Sequence, residues 1–226
     1  RLARETIATG AEVVVTSTTR FSRPPGLDLP LVTISVPDII VDVLPAALRD
    51  AHGCIVAGGA TESGRLLGVG DDVIAALRAA APRALVVANA DGARMRSLKA
   101  PAEHEPVIPK GASMVVAIVG LDALGASLDD DVVFRLDLVA QIVGQAPGTK
   151  ITGETIARVL TSERGGRKNV PIGTPFAVIL NKADDEERRA GGRELAAGLY
   201  RRGVDCVVLA SGLAGQRPFI DLVPRP

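Results

Sequence analysis

Short runs of apolar residues recur along the chain, and most are separated from the next by enough residues to form a helix. A continuous apolar run is typical of a strand buried on both faces, and such strands belong to parallel sheets. Because consecutive parallel strands need a helical crossover, this alternation predicts a three-layer α/β fold, a mostly parallel sheet with helices on both faces. The seven predicted strands are Val13–Val15, Leu31–Ile34, Cys54–Ala57, Ala84–Ala88, Met114–Gly120, Phe176–Leu180 and Val207–Ala210.

Helices are predicted between these strands from prolines, caps and charges. Pro45 is expected in the first turn of a helix that ends at Ala51, where its missing N–H does no harm. The three carboxylates of Asp129–Asp131 suit the positive end of a helix dipole, so we expect them to open a helix to about Val143. A further helix is predicted from Thr152 to about Leu160.

Length and composition limit the function classes. We predict a single domain over residues 1–226, with a small helical insertion at about 121–170. The 26 basic and 26 acidic residues cancel, and one Tyr, four Phe and no Trp leave few stacking platforms, so nucleic acid is not an expected partner. No apolar run reaches the length of a membrane span and no signal peptide is evident, so no membrane association is expected and the cytoplasm is the expected compartment. Cys54 and Cys206 both begin apolar runs, which predicts buried thiols.

The polar segment after the strand Ala84–Ala88 carries the densest chemistry in the chain. Asn89 ends the apolar run, Asp91 and Gly92 suit a tight bend, and the residues up to Pro109 include two arginines, a lysine, two glutamates and a histidine. Ligands in open α/β sheets bind beyond the carboxyl ends of the strands. We therefore interpret this segment as a candidate site, in preference to an ordinary surface loop.

A second strand tip carries Asn181-Lys182-Ala183-Asp184, which matches the NKxD pattern of GTP-binding proteins. The aspartate carboxylate would accept two hydrogen bonds, from N1–H and the 2-amino group of guanine, which adenine cannot supply. The lysine stem would pack along the base, and the asparagine would join neighbouring loops. Ser211, after the next strand, falls where such proteins place a backbone N–H donor to guanine O6. The alternative is that Asp184 only caps the following helix.

The chain order of a P-loop protein gives roles to two other polar sites. Asp91 would hold Mg²⁺ through water, while Thr18 and Thr19 would sense the terminal phosphate, with Thr18 also a candidate metal ligand. These threonines belong to the hydroxyl-rich run Thr16–Thr19, which β-branched strand propensity also explains. No GxxxxGK[ST] phosphate loop occurs in the chain. Because that loop would stand immediately before the helix that Arg1 enters, we expect that the N-terminal β-strand and the P-loop are missing from these residues.

Together these motifs resemble the YqeC family, accessory proteins of selenium-dependent molybdenum hydroxylases. The resemblance extends from Arg1 to about Gly212. It is carried by Thr16–Thr19, Ala90–Gly92, Asn181–Asp184 and, above all, Leu98–Pro109 with the sequence LKAPAEHEPVIP. It implies a P-loop NTPase-like maturation factor, comparable to a metallochaperone, that binds GTP (or ATP) and Mg²⁺. Its partners would be a selenium-dependent molybdenum hydroxylase or its cofactor-insertion machinery, and a homodimer is compatible with it.

The resemblance also implies a family-specific site for the selenium-bearing or cofactor-bearing partner. Lys99, Glu103, His104 and Glu105 would form this site, with Lys99 as a cofactor contact. Glu103 and His104 would join Asp91 as candidate catalytic residues, and His104 would shuttle protons. The alternative for His104 is a hydrogen bond that only fixes the loop.

One position departs from the family pattern and bears on hydrolysis. The family carries Glu-Ala-Asp-Gly at the strand tip where this chain has Asn89-Ala90-Asp91-Gly92, and an amide can only donate and accept hydrogen bonds. The leading hypothesis is a slow or partner-activated NTPase. The alternatives are a docking module that binds nucleotide without turnover, and a P-loop kinase or ligase-like transferase.

Overall fold

The computed structural model describes residues 2–34, 36–212 and 219–225, and the predicted helix start at Arg1 lies outside them. The chain divides into two compact units. The first comprises residues 1–92 and 107–111, and the second comprises residues 93–106 and 112–226. Each unit contains its own four-stranded sheet, so the predicted strands form two sheets instead of one. The prediction of one domain over the whole chain stays a prediction.

The first unit is a parallel sheet between helices. Its elements are α1 (Leu2–Ala8), β1 (Val13–Ser17), β2 (Leu31–Thr33), a 3₁₀ helix (Pro37–Ile39), α2 (Ile40–Ala51), β3 (Gly53–Ala57), β4 (Gly59–Ala60), β5 (Leu66–Leu67), α3 (Asp71–Ala80) and β6 (Leu85–Asn89). The sheet order is β2-β3-β1-β6, with every pairing parallel, and β4 and β5 form a small antiparallel pair. Side chains of α2 and α3 pack on one face of the sheet, and α1 packs on the other.

Helix α2 corrects one prediction, because it begins at Ile40 and therefore holds Pro45 in its interior. Ile40, Leu44 and Leu48 recur at every fourth position and are all buried. An interior proline costs about 3 kcal/mol, and burying three large side chains in the core offsets that cost. The predicted buried thiols are confirmed for Cys54, where burial raises the pKa to about 11. Cys206 is only partly buried.

The second unit holds the other three predicted strands and the longest of the described helices. Its elements are β7 (Leu98–Lys99), β8 (Val115–Gly120), a 3₁₀ helix (Leu121–Ala123), β9 (Val133–Phe134), α4 (Leu136–Val143), α5 (Gly153–Thr161), β10 (Phe176–Asn181), α6 (Glu186–Arg201), β11 (Cys206–Ala210) and β12 (Phe219–Val223). The sheet order is β12-β11-β10-β8; β8, β10 and β11 are parallel, and β12, which was not predicted, is antiparallel. β7 and β9 form a small parallel pair.

The sheet of the second unit has helices packed against one face. Val119, Leu180 and Leu209 share a core with α4, α5 and α6. On the opposite face of the edge strand β8, Val116 and Ile118 are exposed, the latter to 64%. The prediction of helices on both faces is therefore met in the first unit and, over the described residues, not in the second.

The predicted helix start at Asp129 is also wrong, since α4 begins at Leu136. The Asp129 carboxylate accepts hydrogen bonds from the backbone N–H groups of Asp131 and Val132, at 3.1 and 3.3 Å. An aspartate that bonds its own following backbone favours a turn over a helix. The α/β class and the predominance of parallel strands are confirmed. Among the helices that the structure describes, none has the length and apolarity to cross a membrane.

Candidate functional site

The hydroxyl-rich tip of β1 lies beside the tip of β6 in the first unit. Ser17 pairs with Asn89 in the parallel register, and the Ser17 hydroxyl donates to the Asn89 carbonyl at 2.7 Å. Thr16 is buried and donates to the Val56 carbonyl at 2.9 Å. These two hydroxyls are therefore structural, and only Thr18 and Thr19 extend beyond the strand as ligand candidates.

Thr18 and Asp91 follow the ends of neighbouring strands and are held close by backbone contacts. The Thr18 N–H donates to the Asn89 carbonyl at 3.0 Å, and its hydroxyl donates to the Val107 carbonyl at 2.7 Å. Val107 in turn donates its N–H to the Ala90 carbonyl at 3.1 Å. Mg²⁺ in nucleotide sites uses one or two carboxylates together with hydroxyls, waters and phosphates, and the roles of Asp91 and Thr18 as Mg²⁺ ligands stay predictions. Within the described residues, no three metal-ligating side chains converge as a group.

A glycine that no sequence motif singled out shapes the same tip. A Cβ atom on Gly68 would lie 2.5 Å from the Thr18 carbonyl carbon and 2.6 Å from the Thr19 nitrogen. Only a residue without a side chain allows this approach. Glycine-rich loops have many uses, so the sequence offered no signal that singled out Gly68.

The NKxD residues lie in the second unit, at the carboxyl ends of β10 and β11. Ala183 donates its N–H to the Ala210 carbonyl at 2.9 Å, which joins the two strand tips. The Ser211 hydroxyl donates to Asp184 Oδ1 at 2.5 Å, while the nearest guanidinium nitrogen of Arg188 lies 3.4 Å from Oδ2. The structure thus brings together Asp184 and Ser211 as predicted. The helix cap of α6 is Asp185, which accepts from the Arg188 N–H at 2.8 Å. The alternative assignment of Asp184 as the cap is wrong.

Lys182 is held by two residues that belong to no motif of the sequence. Its ammonium donates to Asp122 Oδ2 at 2.6 Å and to the Ser97 hydroxyl at 2.7 Å. Its backbone has φ of 60°, in the left-handed region. Partial burial acts to raise the pKa of Asp122, but its hydrogen bonds with Lys182 and Ser97 and the positive charge of Lys182 together outweigh burial and lower that pKa below its ordinary value. Asp122 follows β8 closely, so its place after an apolar strand was the available signal.

The family-specific segment divides into a buried and an exposed part. The Glu105 carboxylate, 16% exposed, forms a bidentate pair with Arg135 at 2.7 and 3.0 Å and also accepts from Lys99 at 3.0 Å. By contrast Glu103 is exposed and the His104 side chain is 81% exposed, 3.9 Å from Glu105. Lys99 and Glu105 thus support the loop, whereas Glu103 and His104 lie where a partner can reach them.

Two further residues hold the backbone of this segment. The Lys168 ammonium donates to the carbonyls of Ala102 and Glu103 at 2.5 and 2.7 Å, and the Asn169 amide donates to the Pro106 carbonyl at 2.9 Å. These partners are separated from the segment by more than sixty positions. No local pattern in the sequence could have identified them.

The fold and these strand tips define an α/β protein with an NKxD motif at the end of a parallel strand. The model of the family described as YqeC protein matches residues 1–137, and the chain therefore belongs to the YqeC family. Over 202 residues the chain is 28% identical to a protein of Escherichia coli (strain K12) described as "Uncharacterized protein YqeC". The aligned stretch covers 89% of this chain and 77% of the relative. No solved structure matches the chain.

Proposed function

We propose that this protein is a P-loop NTPase-like nucleotide-binding accessory factor, selective for GTP, that acts in the maturation of selenium-dependent molybdenum hydroxylases. The observation that carries the nucleotide proposal is the Asp184 carboxylate. It lies at a strand tip, where the Ser211 hydroxyl donates a hydrogen bond to its Oδ1 at 2.5 Å, and it does not cap the following helix. Two carboxylate oxygens beside each other match the two adjacent donors of guanine.

The other nucleotide roles are assigned by chemistry within each unit. Asp91 would hold Mg²⁺ through water, and Thr18 or Thr19 would contact the terminal phosphate. In the second unit, Lys182 would pack along the base while Asp122 holds its ammonium. Asn89 lacks a carboxylate, and its backbone carbonyl accepts hydrogen bonds from Ser17 and Thr18. This favours nucleotide binding with slow or partner-triggered hydrolysis, in which no general base comes from that position.

The proposed partner is inferred from the segment Leu98–Pro109, which nucleotide chemistry does not explain. Glu103 and His104 lie exposed on a loop whose backbone is fixed by Lys168 and whose base is fixed by the Glu105–Arg135 pair. A rigid support under exposed polar side chains is what a recognition site requires. The partner would be the hydroxylase or the machinery that inserts its selenium-containing cofactor.

Asp184→Ala tests the guanine assignment. We expect the parent protein to bind GTP more tightly than ATP by calorimetric titration, and the variant to lose that preference while its circular dichroism stays unchanged. Equal GTP and ATP binding by parent and variant would reject the base-reading role.

Phosphate release from GTP by the full-length protein, with and without the hydroxylase, then separates a GTPase from a docking module. No turnover in either condition would leave the docking module as the function. Phosphorylated product in a small-acid screen would instead indicate a transferase.

A further inference from the structure

A tight turn in the second unit displays side chains that the proposed nucleotide site does not use. Arg96 donates its N–H to the Ala93 carbonyl at 2.9 Å, and the two central residues, Arg94 and Met95, have φ of 47° and 65°. Turns with both central residues in the left-handed region ordinarily contain Asn-Gly or Asp-Gly. Other residues adopt this conformation at a cost, because the Cβ atom crowds the carbonyl oxygen. A turn needed only for chain reversal would be more stable with Asn-Gly or Asp-Gly in place of Arg94 and Met95.

The turn holds its side chains in solvent. Met95 is 95% exposed, and Arg94 and Arg96 on either side of it are exposed as well. Among the described residues, neither arginine forms an ion pair. Methionine and arginine are both enriched in protein–protein interfaces, and arginine is frequent among the residues whose truncation costs the most affinity.

A cleft of about 330 Å³ adjoins the turn. It is lined by Arg94, Arg96, Asp130, Val133 and Phe134. The Phe134 ring has the cations of Arg94, Arg135 and Lys99 at 5.1, 4.5 and 5.5 Å from its centroid.

The surroundings of the cleft are basic. The charged side chains that line the cleft are Arg94, Arg96 and Asp130, which give the lining a charge of +1. The whole chain has a formal net charge of zero, so this is a local feature with a preferred ligand charge.

We propose that the turn Ala93–Arg96 and its cleft form a docking surface for an acidic segment of a partner protein, with Met95 as the apolar anchor. The local positive charge selects carboxylates, and the planar guanidinium groups of Arg94 and Arg96 bind carboxylates in a bidentate manner. A small free anion would leave Met95 in water, whereas a protein segment would cover it. The formal net charge of zero over the chain disfavours a nucleic-acid backbone, whose phosphates bind proteins with a surplus of basic residues.

The probe is a fluorescein-labelled peptide of about twelve residues in which Leu alternates with Asp or Glu, and its twin carries Lys at the acidic positions. By fluorescence anisotropy we expect the acidic peptide to bind and the basic twin not to bind. Binding should weaken as salt is raised, because exposed charges are screened.

Variants then locate the site. Arg94→Gln with Arg96→Gln should weaken binding about tenfold or more and reduce the salt dependence, and Met95→Ser should weaken it about fivefold. The matched controls are Arg158→Gln, an exposed arginine on α5 without an ion pair among the described residues, and Ile172→Ser, an exposed apolar residue. Both should leave the affinity unchanged.

A double variant keeps the test independent of folding. Arg94→Asn with Met95→Gly provides the residues that the turn prefers, so it should raise the thermal unfolding midpoint and abolish peptide binding together. Unchanged binding by this more stable variant would overturn the proposal, as would equal binding of the two peptides or no binding by either. If a labelled single-stranded oligonucleotide bound and lost affinity with the same variants, the surface would be a nucleic-acid site and the acidic-protein assignment wrong.

Discussion

The substitution Asp184→Asn changes the hydrogen-bonding pattern of the proposed base site with little change in shape. Guanine presents two donors to this side chain, N1–H and the 2-amino group, which a carboxylate satisfies and an amide cannot. Xanthine presents N1–H and a C2 carbonyl, which matches the acceptor and donor of an amide. We therefore expect the variant to bind XTP in preference to GTP.

The magnitude follows from what the carboxylate already contacts. Ser211 donates to Oδ1 at 2.5 Å, and it can still donate to an amide oxygen. The Arg188 contact to Oδ2 at 3.4 Å lies beyond ordinary hydrogen-bond length, and a pair of this kind is worth less than about 1 kcal/mol. The loss is then mainly one charge-assisted hydrogen bond to guanine, about 1.5–3 kcal/mol. This corresponds to an increase of about 10- to 150-fold in the Kd for GTP.

Calorimetric titration with GTP, XTP and ATP measures the change, and the neighbouring residue provides a matched control. Asp185→Asn alters the same formal charge, but asparagine caps a helix as well as aspartate does, so nucleotide selectivity should stay that of the parent. If the two variants give the same ratio of GTP to XTP affinity, Asp184 does not read the base.

Three further predictions concern the supports of the candidate sites. Glu105→Gln leaves two mostly buried cations without their carboxylate, so it should lower the free energy of unfolding by about 3 kcal/mol, whereas the exposed control Glu103→Gln should change it by less than about 0.5 kcal/mol in the same urea titration. Folding lowers the pKa of Asp122, so the carboxylate adds to the free energy of unfolding fully above the ordinary carboxyl pKa, and this addition is lost as pH falls through the lower folded pKa. Asp122→Asn should therefore be less stable than the parent at neutral pH. A difference in unfolding free energy between the two that stays constant down to about pH 2 would contradict this. Gly68→Ala forces a Cβ against backbone atoms and should cost about 1–3 kcal/mol, while Gly153→Ala, where a Cβ meets nothing within 4 Å, should cost nothing; equal unfolding midpoints for the two would refute the steric argument.

Strand positions were predictable because each strand is a short, mostly apolar run, although β8 has one exposed face. All seven predicted strands occur, with limits that shift by a residue or two. Helix starts were harder, as Pro45 and Asp129 show. Proline was expected in a first turn, but burial of apolar side chains in the core extends α2 by five residues before Pro45. Carboxylates were expected to begin a helix, but the Asp129 carboxylate stabilises a turn instead. β12 was missed altogether.

The candidate site shows the same division. Asp184 and Ser211 follow consecutive parallel strands, and chain order alone predicted that the two would lie together. Arg135 and Lys168, which support the segment around Glu105, come from distant parts of the chain. A charged side chain carries no sequence signal for the partner that it meets after folding.

The sequence by itself determined the α/β class, the order of the strands along the chain and which polar residues lie at the carboxyl ends of the strands. It could do so because apolar periodicity and the geometry of parallel strands are local properties. Only the tertiary structure decided that these strands form two sheets, that Asp185 and not Asp184 caps α6, and that Lys182 is held by Ser97 and Asp122. These outcomes depend on which distant backbones and side chains meet, and that is settled by packing and hydrogen bonding across the whole unit.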